Sequence, residues 1–74
     1  MPMTALERRA AFKAAVTLRE ITMAEAATTV GVSYNHLMLV LAGVRKGSVR
    51  LESAIAAFVG VSVAHMFGVS PEEQ

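Results

Sequence analysis

The sequence predicts an all-α domain, because helix-start signals recur along the chain and glycine follows the later apolar stretches. Residues 4–7 (TALE) and 22–25 (TMAE) are capping boxes, in which a threonine hydroxyl and a glutamate carboxylate satisfy backbone amides at a helix start. Gly31, Gly43 and Gly60 stand where helices would end in the left-handed conformation. The 74 residues suffice for one small domain, and 54% of them are hydrophobic, so disorder is not expected.

The first two helices are predicted from their caps and their apolar spacing. Helix 1 should run from the cap at Thr4 to about residue 19 or 20. Its apolar stripe consists of Leu6, Ala11, Phe12, Ala15, Val16 and Leu18. Three cations lie on another face, where they are either solvated or in contact with phosphate: Arg8, Arg9 and Lys13. Helix 2 is predicted over Met23–Val30, with Ala26, Ala27 and Val30 facing inward.

Helix 3 is predicted over Tyr34–Ala42, after a turn of three residues, 31–33, that ends with the cap Ser33. Two helices joined by so short a turn must cross at a steep angle, so we predict a helix-turn-helix at about 22–43. Steps of 100° per residue put three residues of helix 3 on the core side: Leu37, Val40 and Leu41. The outward side carries Tyr34, Asn35, Met38 and Ala42, with His36 and Leu39 on its flanks.

The C-terminal part is predicted to form two more helices. Helix 4 should start at Ser48 or Val49 and end at Gly60. Its core stripe consists of Leu51, Ala54, Ile55 and Phe58. Ser62 can cap a last helix over Val63–Phe67 that ends at Gly68. We therefore expect a single domain at residues 1–69, followed by a C-terminal tail at 70–74.

Several short motifs together resemble the lambda-repressor-like helix-turn-helix family of Cro and phage repressors. They are Thr22, Glu25 and Ala27, the Gly-Val-Ser at 31–33, Leu37 and Val40, Gly43, and the Ala-x-x-x-Gly-Val-Ser run at 56–62. The short connection between helices 1 and 2 is similar to that of small Ner-type phage regulators. The resemblance implies a compact five-helix domain that regulates transcription by binding double-stranded DNA in a sequence-specific way. It further implies a repressor that binds a palindromic operator as a homodimer, with helix 3 in the major groove.

The DNA contacts of this interpretation come from the positions that the resemblance implies, together with side-chain chemistry. Base contacts are predicted for Ser33, Tyr34, Asn35, Met38 and Leu39, because Asn35 can bond adenine in bidentate fashion and the apolar pair can touch thymine methyls. Phosphate contacts are predicted for Thr22, Met23, His36, Arg45, Lys46, Ser48 and Arg50. At Met23 many family members carry a glutamine that contacts phosphate, which methionine cannot replace. Because Met38 and Leu39 are poor for hydrogen-bond readout, the alternative is a protein-interaction module that docks a partner there.

The same resemblance places a homodimer interface in the last two helices. The predicted interface residues are Phe58, Val59, Val63, Met66 and Phe67, whose apolar area exceeds what a core of this size needs. The alternative is that Phe58 and Phe67 close the core and that the two valines are incidental.

Catalysis, metals and cofactors are not expected. The chain has no Cys and no Asp, and His36 and His65 fall on different helices without ligand-spaced partners. The longest weakly polar run, 54–69, is too short and too broken for a membrane span, and the N-terminus lacks the apolar stretch of a secretory signal. We therefore expect a soluble cytoplasmic protein, associated with the nucleoid.

Overall fold

A computed structural model describes residues 1–68 and contains five helices and no strand within that range. The helices are α1 (Ala5–Leu18), α2 (Met23–Val30), α3 (Tyr34–Ala42), α4 (Val49–Val59) and α5 (Val63–Phe67). The predicted all-α class and the five helices are confirmed. The predicted tail at 70–74, like residue 69, lies outside the described residues.

Every helix begins at a hydroxyl side chain, as the sequence predicts. In both capping boxes the threonine Oγ1 accepts from the glutamate amide, and the glutamate Oε1 accepts from the threonine amide; the pairs are Thr4 with Glu7 and Thr22 with Glu25. The Oγ atoms of three serines accept the amide three residues further on: Ser33, Ser48 and Ser62. Because these bonds satisfy amides that have no partner within the helix, the local sequence fixes each start.

The turn between α2 and α3 depends on a glycine. Gly31 has a φ of 90°, in the left-handed region, and the following Val32 amide donates to the Ala27 carbonyl at 3.0 Å. This hydrogen bond closes the end of α2 and turns the chain within three residues into the cap of α3. By contrast, α1 ends without glycine, and Glu20 takes the left-handed conformation instead, with a φ of 55°.

The core lies where α1, α3 and α4 meet. Its largest fully buried side chains are Phe12, Leu37, Leu41, Ile55 and Met66. Phe12 also stacks on Phe58, with 4.9 Å between the ring centroids. The small buried Ala26 and Ala27 let α2 pack closely on α3 and α4.

The buried face of α1 is narrower than predicted. Phe12, Ala15 and Val16 are buried, whereas Leu6 and Leu18 are 75% and 83% exposed. At about 100° per residue, both leucines lie roughly 120° from the centre of the buried face, on opposite sides of it. Three further predicted core residues are only half-buried: Ala11, Val30 and Ala54. The core of this small domain therefore uses fewer positions than the apolar pattern offers.

Arg8 is bonded within the domain, which corrects the prediction that it lies on a solvated or phosphate-contacting face of α1. The side chain is half-buried, its Nε donates to the Leu41 carbonyl at 2.9 Å, and one terminal nitrogen donates to the Met3 carbonyl at 2.8 Å. The guanidinium also lies over the Phe67 ring, 5.7 Å from the centroid. Arg8 therefore joins α1 to the C-terminal end of α3, to the N-terminal segment and to α5.

No helix within the described residues 1–68 has both the length and the apolar character needed to cross a bilayer.

Candidate nucleic-acid interface

The start of α3 presents three polar side chains to solvent. Ser33 and Asn35 are exposed, and Tyr34 is 50% exposed. The Ser33 Oγ accepts from the His36 amide at 3.2 Å, which leaves the hydroxyl hydrogen free to donate to another group. Asn35 makes no side-chain hydrogen bond within the described residues, so its amide can offer a donor and an acceptor together.

The N-terminal end of α3 is also the most favourable of the longer helix ends for an anion. The first turns of α1, α2 and α4 each contain a glutamate, whereas the first turn of α3 contains none. The partial positive charge of the helix end is therefore not offset locally by a carboxylate. This end can accept a phosphate or another acceptor group close to Ser33.

A basic loop follows α3 and lies beside it. Arg45 and Lys46 are exposed, and one terminal nitrogen of Arg45 lies 3.4 Å from His36 Nδ1. Gly47 is buried, and a Cβ there would lie 3.1 Å from Val40 Cγ1, so the lack of a side chain lets the loop pack on α3. Arg50 is exposed in the first turn of α4, next to the cap Ser48. The loop therefore places the Arg45 side chain beside α3, next to His36.

One electrostatic feature of this surface was missed, although the sequence contains it. Residues 26–51 include Arg45, Lys46, Arg50 and His36 but not a single acidic residue. The net charge of +1 for the whole chain conceals this, because the six acidic residues all fall outside that stretch. The side chains of α3 and its following loop are therefore all neutral or positive, which favours phosphate binding, and Glu52 of α4 lines the same surface depression as Arg45 and Lys46.

Of the two phosphate contacts predicted at the start of α2, Thr22 is exposed and Met23 is not. Thr22 is exposed at the start of α2, with its hydroxyl accepting from the Glu25 amide. Met23 is half-buried and faces a groove between three helices. Met38 lines the same groove, whereas Leu39 is half-buried outside it.

The groove itself was not predicted. It has a volume of about 410 Å³ and is lined by Leu6, Arg9, Ala10, Lys13, Met23, Tyr34 and Met38. Four of these residues recur at helical spacing along α1, which the apolar pattern had assigned partly to the core and partly to a polar face. The groove exists because Leu6 is turned away from the core and toward α2 and α3.

Two residues of the predicted dimer interface belong to the core of the protomer. Met66 is completely buried and Phe58 is 8% exposed, because both pack among the residues around Phe12. A second copy could not contact Met66 without opening the core, so its assignment to an interface is wrong, and Phe58 offers almost no surface. The other three, Val59, Val63 and Phe67, are half-buried and pack at the edge of the core.

Within residues 1–68, no three histidine or carboxylate side chains come together in a way that could hold a metal ion. Searches of protein-family models, of curated proteins and of solved structures found no match to this chain. The class that the coordinates define is a small all-α domain of five helices. Its most distinctive surface joins the polar start of α3 to an exposed basic loop.

Proposed function

We propose that this chain is a transcriptional regulator of the lambda-repressor-like class that binds double-stranded DNA in a sequence-specific way. The observation that carries the proposal is the stretch 26–51, which contains no acidic residue and has exposed polar groups at the start of α3 and exposed cations in the loop after it. In this function α2, the turn at 31–33 and α3 act as a helix-turn-helix, with α3 in the major groove. The regulator acts as a repressor in the cytoplasm, on the nucleoid.

The first turn of α3 reads the bases. Asn35 pairs with adenine through its amide, and Ser33 donates its free hydroxyl hydrogen to a base or phosphate acceptor. Tyr34 contacts the same part of the DNA, from the edge of α3 that faces α1 and α2. Met38 and Leu39 contribute at most contacts with thymine methyl groups, because both are half-buried.

The cations bind the phosphates of the DNA backbone on either side of the major groove. Arg45, Lys46 and Arg50 give three charges per protomer, hence six in a homodimer, supported by Ser48 and His36. With about 0.9 counterions released per phosphate, the logarithm of the binding constant should fall with the logarithm of salt concentration with a slope of roughly −5. The homodimer forms through the edge of the domain at Val59, Val63 and Phe67.

A selection of binding sites from random duplexes at low salt tests the proposal, with the solution mass measured by sedimentation. We expect a palindromic motif whose half-sites lie about one helical turn apart. Asn35→Ala removes one bidentate base contact from each half-site, so it should weaken binding of the homodimer to that motif by roughly 25- to 20,000-fold and relax one position in each half-site. A selection that enriches no motif at low salt would refute the proposal.

The contacts with the DNA phosphates can be tested separately, through the salt dependence of binding. Replacing Arg45 and Lys46 with alanine should weaken binding to all sequences and reduce the magnitude of the salt slope by roughly 2 for each protomer. Arg45→Lys is the matched control, since it retains the charge and should leave the slope unchanged. A double alanine variant with the parent slope would contradict the assignment of this loop.

The second candidate function is a protein-interaction module on the same scaffold. The observation that favours it is the groove, where Met23 and Met38 join Leu6 in one partly apolar surface. If this function is correct, the duplex selection yields no motif. A Leu39→Lys substitution then tests whether the partner also contacts Leu39, the half-buried residue of α3 that lies outside the groove. Retention of full partner binding by that variant would limit the docking surface to the groove.

A further inference from the structure

We propose that the groove between α1, α2 and α3 binds an acidic amphipathic helix of another protein, and that this helix excludes DNA. The groove is defined by Leu6, Arg9, Ala10, Lys13, Met23, Tyr34 and Met38. Its use as a docking site stands independently of DNA binding. The exclusion of DNA rests on the proposed function.

The lining combines an apolar floor with a cationic edge. Leu6, Met23 and Met38 supply apolar surface from three different helices, and Leu6 is 75% exposed. Arg9 and Lys13 both come from α1 and are four residues apart, hence about 6 Å apart along the helix axis. None of the residues that line the groove is acidic.

Charge and apolarity together select the occupant. The side chains of Arg9 and Lys13 make no hydrogen bond or ion pair with the described residues, so their charges are available to a ligand. An amphipathic helix can place two carboxylates four residues apart on its flank, which matches the spacing of the two cations, while its apolar face covers Leu6 and the methionines. A phosphate backbone would satisfy the cations but would leave the apolar floor in water, so the groove fits an acidic peptide better than a nucleic acid.

The volume of the groove limits how the partner's helix can bind. About 410 Å³ accommodates a few large side chains and not a helix of 10–12 Å diameter, so the occupant would rest across α1 and α3 with its anchors inserted. Such a helix covers Tyr34 and Met38, which also belong to the proposed DNA-reading helix. Peptide and duplex therefore cannot occupy α3 together, and the partner would release DNA.

Methionine methyl groups provide a local readout in the full chain. Met23 and Met38 line the groove, whereas Met66 is completely buried and serves as an internal control. The probe is a synthetic 14-residue helical peptide with leucines on one face and glutamates on its flanks, added to ¹³C-methyl-methionine-labelled protein. We expect saturable shifts of the Met23 and Met38 signals below about 1 mM peptide, with the Met66 signal unchanged.

Two comparisons test the charge requirement. A peptide with the same leucines but lysine flanks should bind at least about tenfold more weakly, and the double variant Arg9→Glu, Lys13→Glu should reverse that preference. Because both cations are exposed, the double variant should fold, and circular dichroism confirms this before titration. Equal binding of both peptides, or shifts confined to signals outside the groove, would overturn the proposal.

A displacement experiment separates the two functions. The acidic peptide should release a selected duplex from the parent protein, and the Arg45→Ala, Lys46→Ala variant should lose DNA while still binding the peptide. If no duplex motif is found but the peptide binds, the docking site stands and the DNA-binding proposal fails. If the double glutamate variant loses DNA and the parent never binds the peptide, the groove is a nucleic-acid surface and the docking proposal is wrong.

Discussion

Replacement of Arg8 by methionine should destabilise the fold more than any other single change on the polar side of α1. The guanidinium donates to two backbone carbonyls, those of Leu41 and Met3, and covers the Phe67 ring. Leu41 is the penultimate residue of α3, and the hydrogen bond ties that end of the helix to α1. Methionine fills similar space but supplies no donor.

The magnitude follows from these contacts. A hydrogen bond from a charged group contributes about 1.5–3 kcal/mol, and a cation–π contact about 0.5–1 kcal/mol. Because Arg8 is only half-buried, water replaces part of what is lost, so we expect a net cost of about 2–4 kcal/mol. A 74-residue domain has roughly 4–11 kcal/mol of stability in total, and the midpoint of thermal unfolding should fall by roughly 10–30 °C.

Urea and thermal unfolding followed by circular dichroism measure this cost. Arg8→Lys should recover about half of it, because one ammonium group cannot reach both carbonyls with the fork geometry of a guanidinium. Arg9→Met is the matched control: the neighbouring side chain is exposed, and its loss should change stability by less than about 0.5 kcal/mol. An Arg8→Met variant as stable as the Arg9→Met variant would refute the structural role of Arg8.

Three further outcomes follow from particular contacts. Gly47→Ala should cost about 1 kcal/mol in urea unfolding, because its Cβ would lie 3.1 Å from Cγ1 of Val40, which is buried in the core and has little room to move. The hydrogen bond from the Thr4 amide holds the pKa of Glu7 below its ordinary value of 4.5, so Glu7 favours the folded state above that pH and less as pH falls through the lowered pKa. Glu7→Gln should therefore flatten the pH dependence of the urea midpoint between roughly pH 5 and 3. Val63→Asp should shift a dimer to monomer in sedimentation without unfolding it, and an unchanged mass distribution would contradict the proposed interface.

The helix starts and most helix ends were predictable because their causes are local. A hydroxyl cap acts on an amide three residues away, and a left-handed glycine acts within one turn, so both are visible as short motifs. The end of α1 is the exception, since Glu20 adopts the left-handed conformation that the sequence assigns to glycine or asparagine. After this residue, the Ile21 amide donates to the Val16 carbonyl at 3.4 Å and the Ile21 side chain packs against the core.

Which face of α1 is buried could not be predicted, because it depends on contacts with other helices and not on local sequence. Hydrophobicity alone favours burial of Leu6 and Leu18, but the buried face is set by what α3 and α4 present to it. Arg8 and Arg19 lie within about 40° of the centre of that face, at its two ends. Arg19 accordingly covers the Phe58 ring, 4.2 Å from the centroid. Long cationic side chains can close a small core in this way because their stems are apolar and their charged ends reach carbonyls or solvent.

In the candidate site, too, the features with local causes were predictable and those that need several helices to meet were not. Exposure of Ser33, Asn35, Arg45 and Lys46 was expected from their position at a helix start and in a loop, and the coordinates place them so. The groove requires three helices to meet, and Met66 becomes core only because α5 folds onto the others. Neither is encoded in a short motif, so the apolar residues were assigned less accurately than the polar ones.

The small number of polar residues at the start of α3 makes dimerisation necessary to the proposed function. One bidentate contact per protomer discriminates by about 1–3 kcal/mol, or roughly 5- to 150-fold. Specific DNA-binding proteins exceed their non-specific binding by about 10³-fold or more, which one such domain does not reach. Two copies multiply the ratios to roughly 25- to 20,000-fold, which overlaps that range. A variant kept monomeric by Val63→Asp should therefore retain salt-sensitive binding to any duplex and lose its preference for the selected motif.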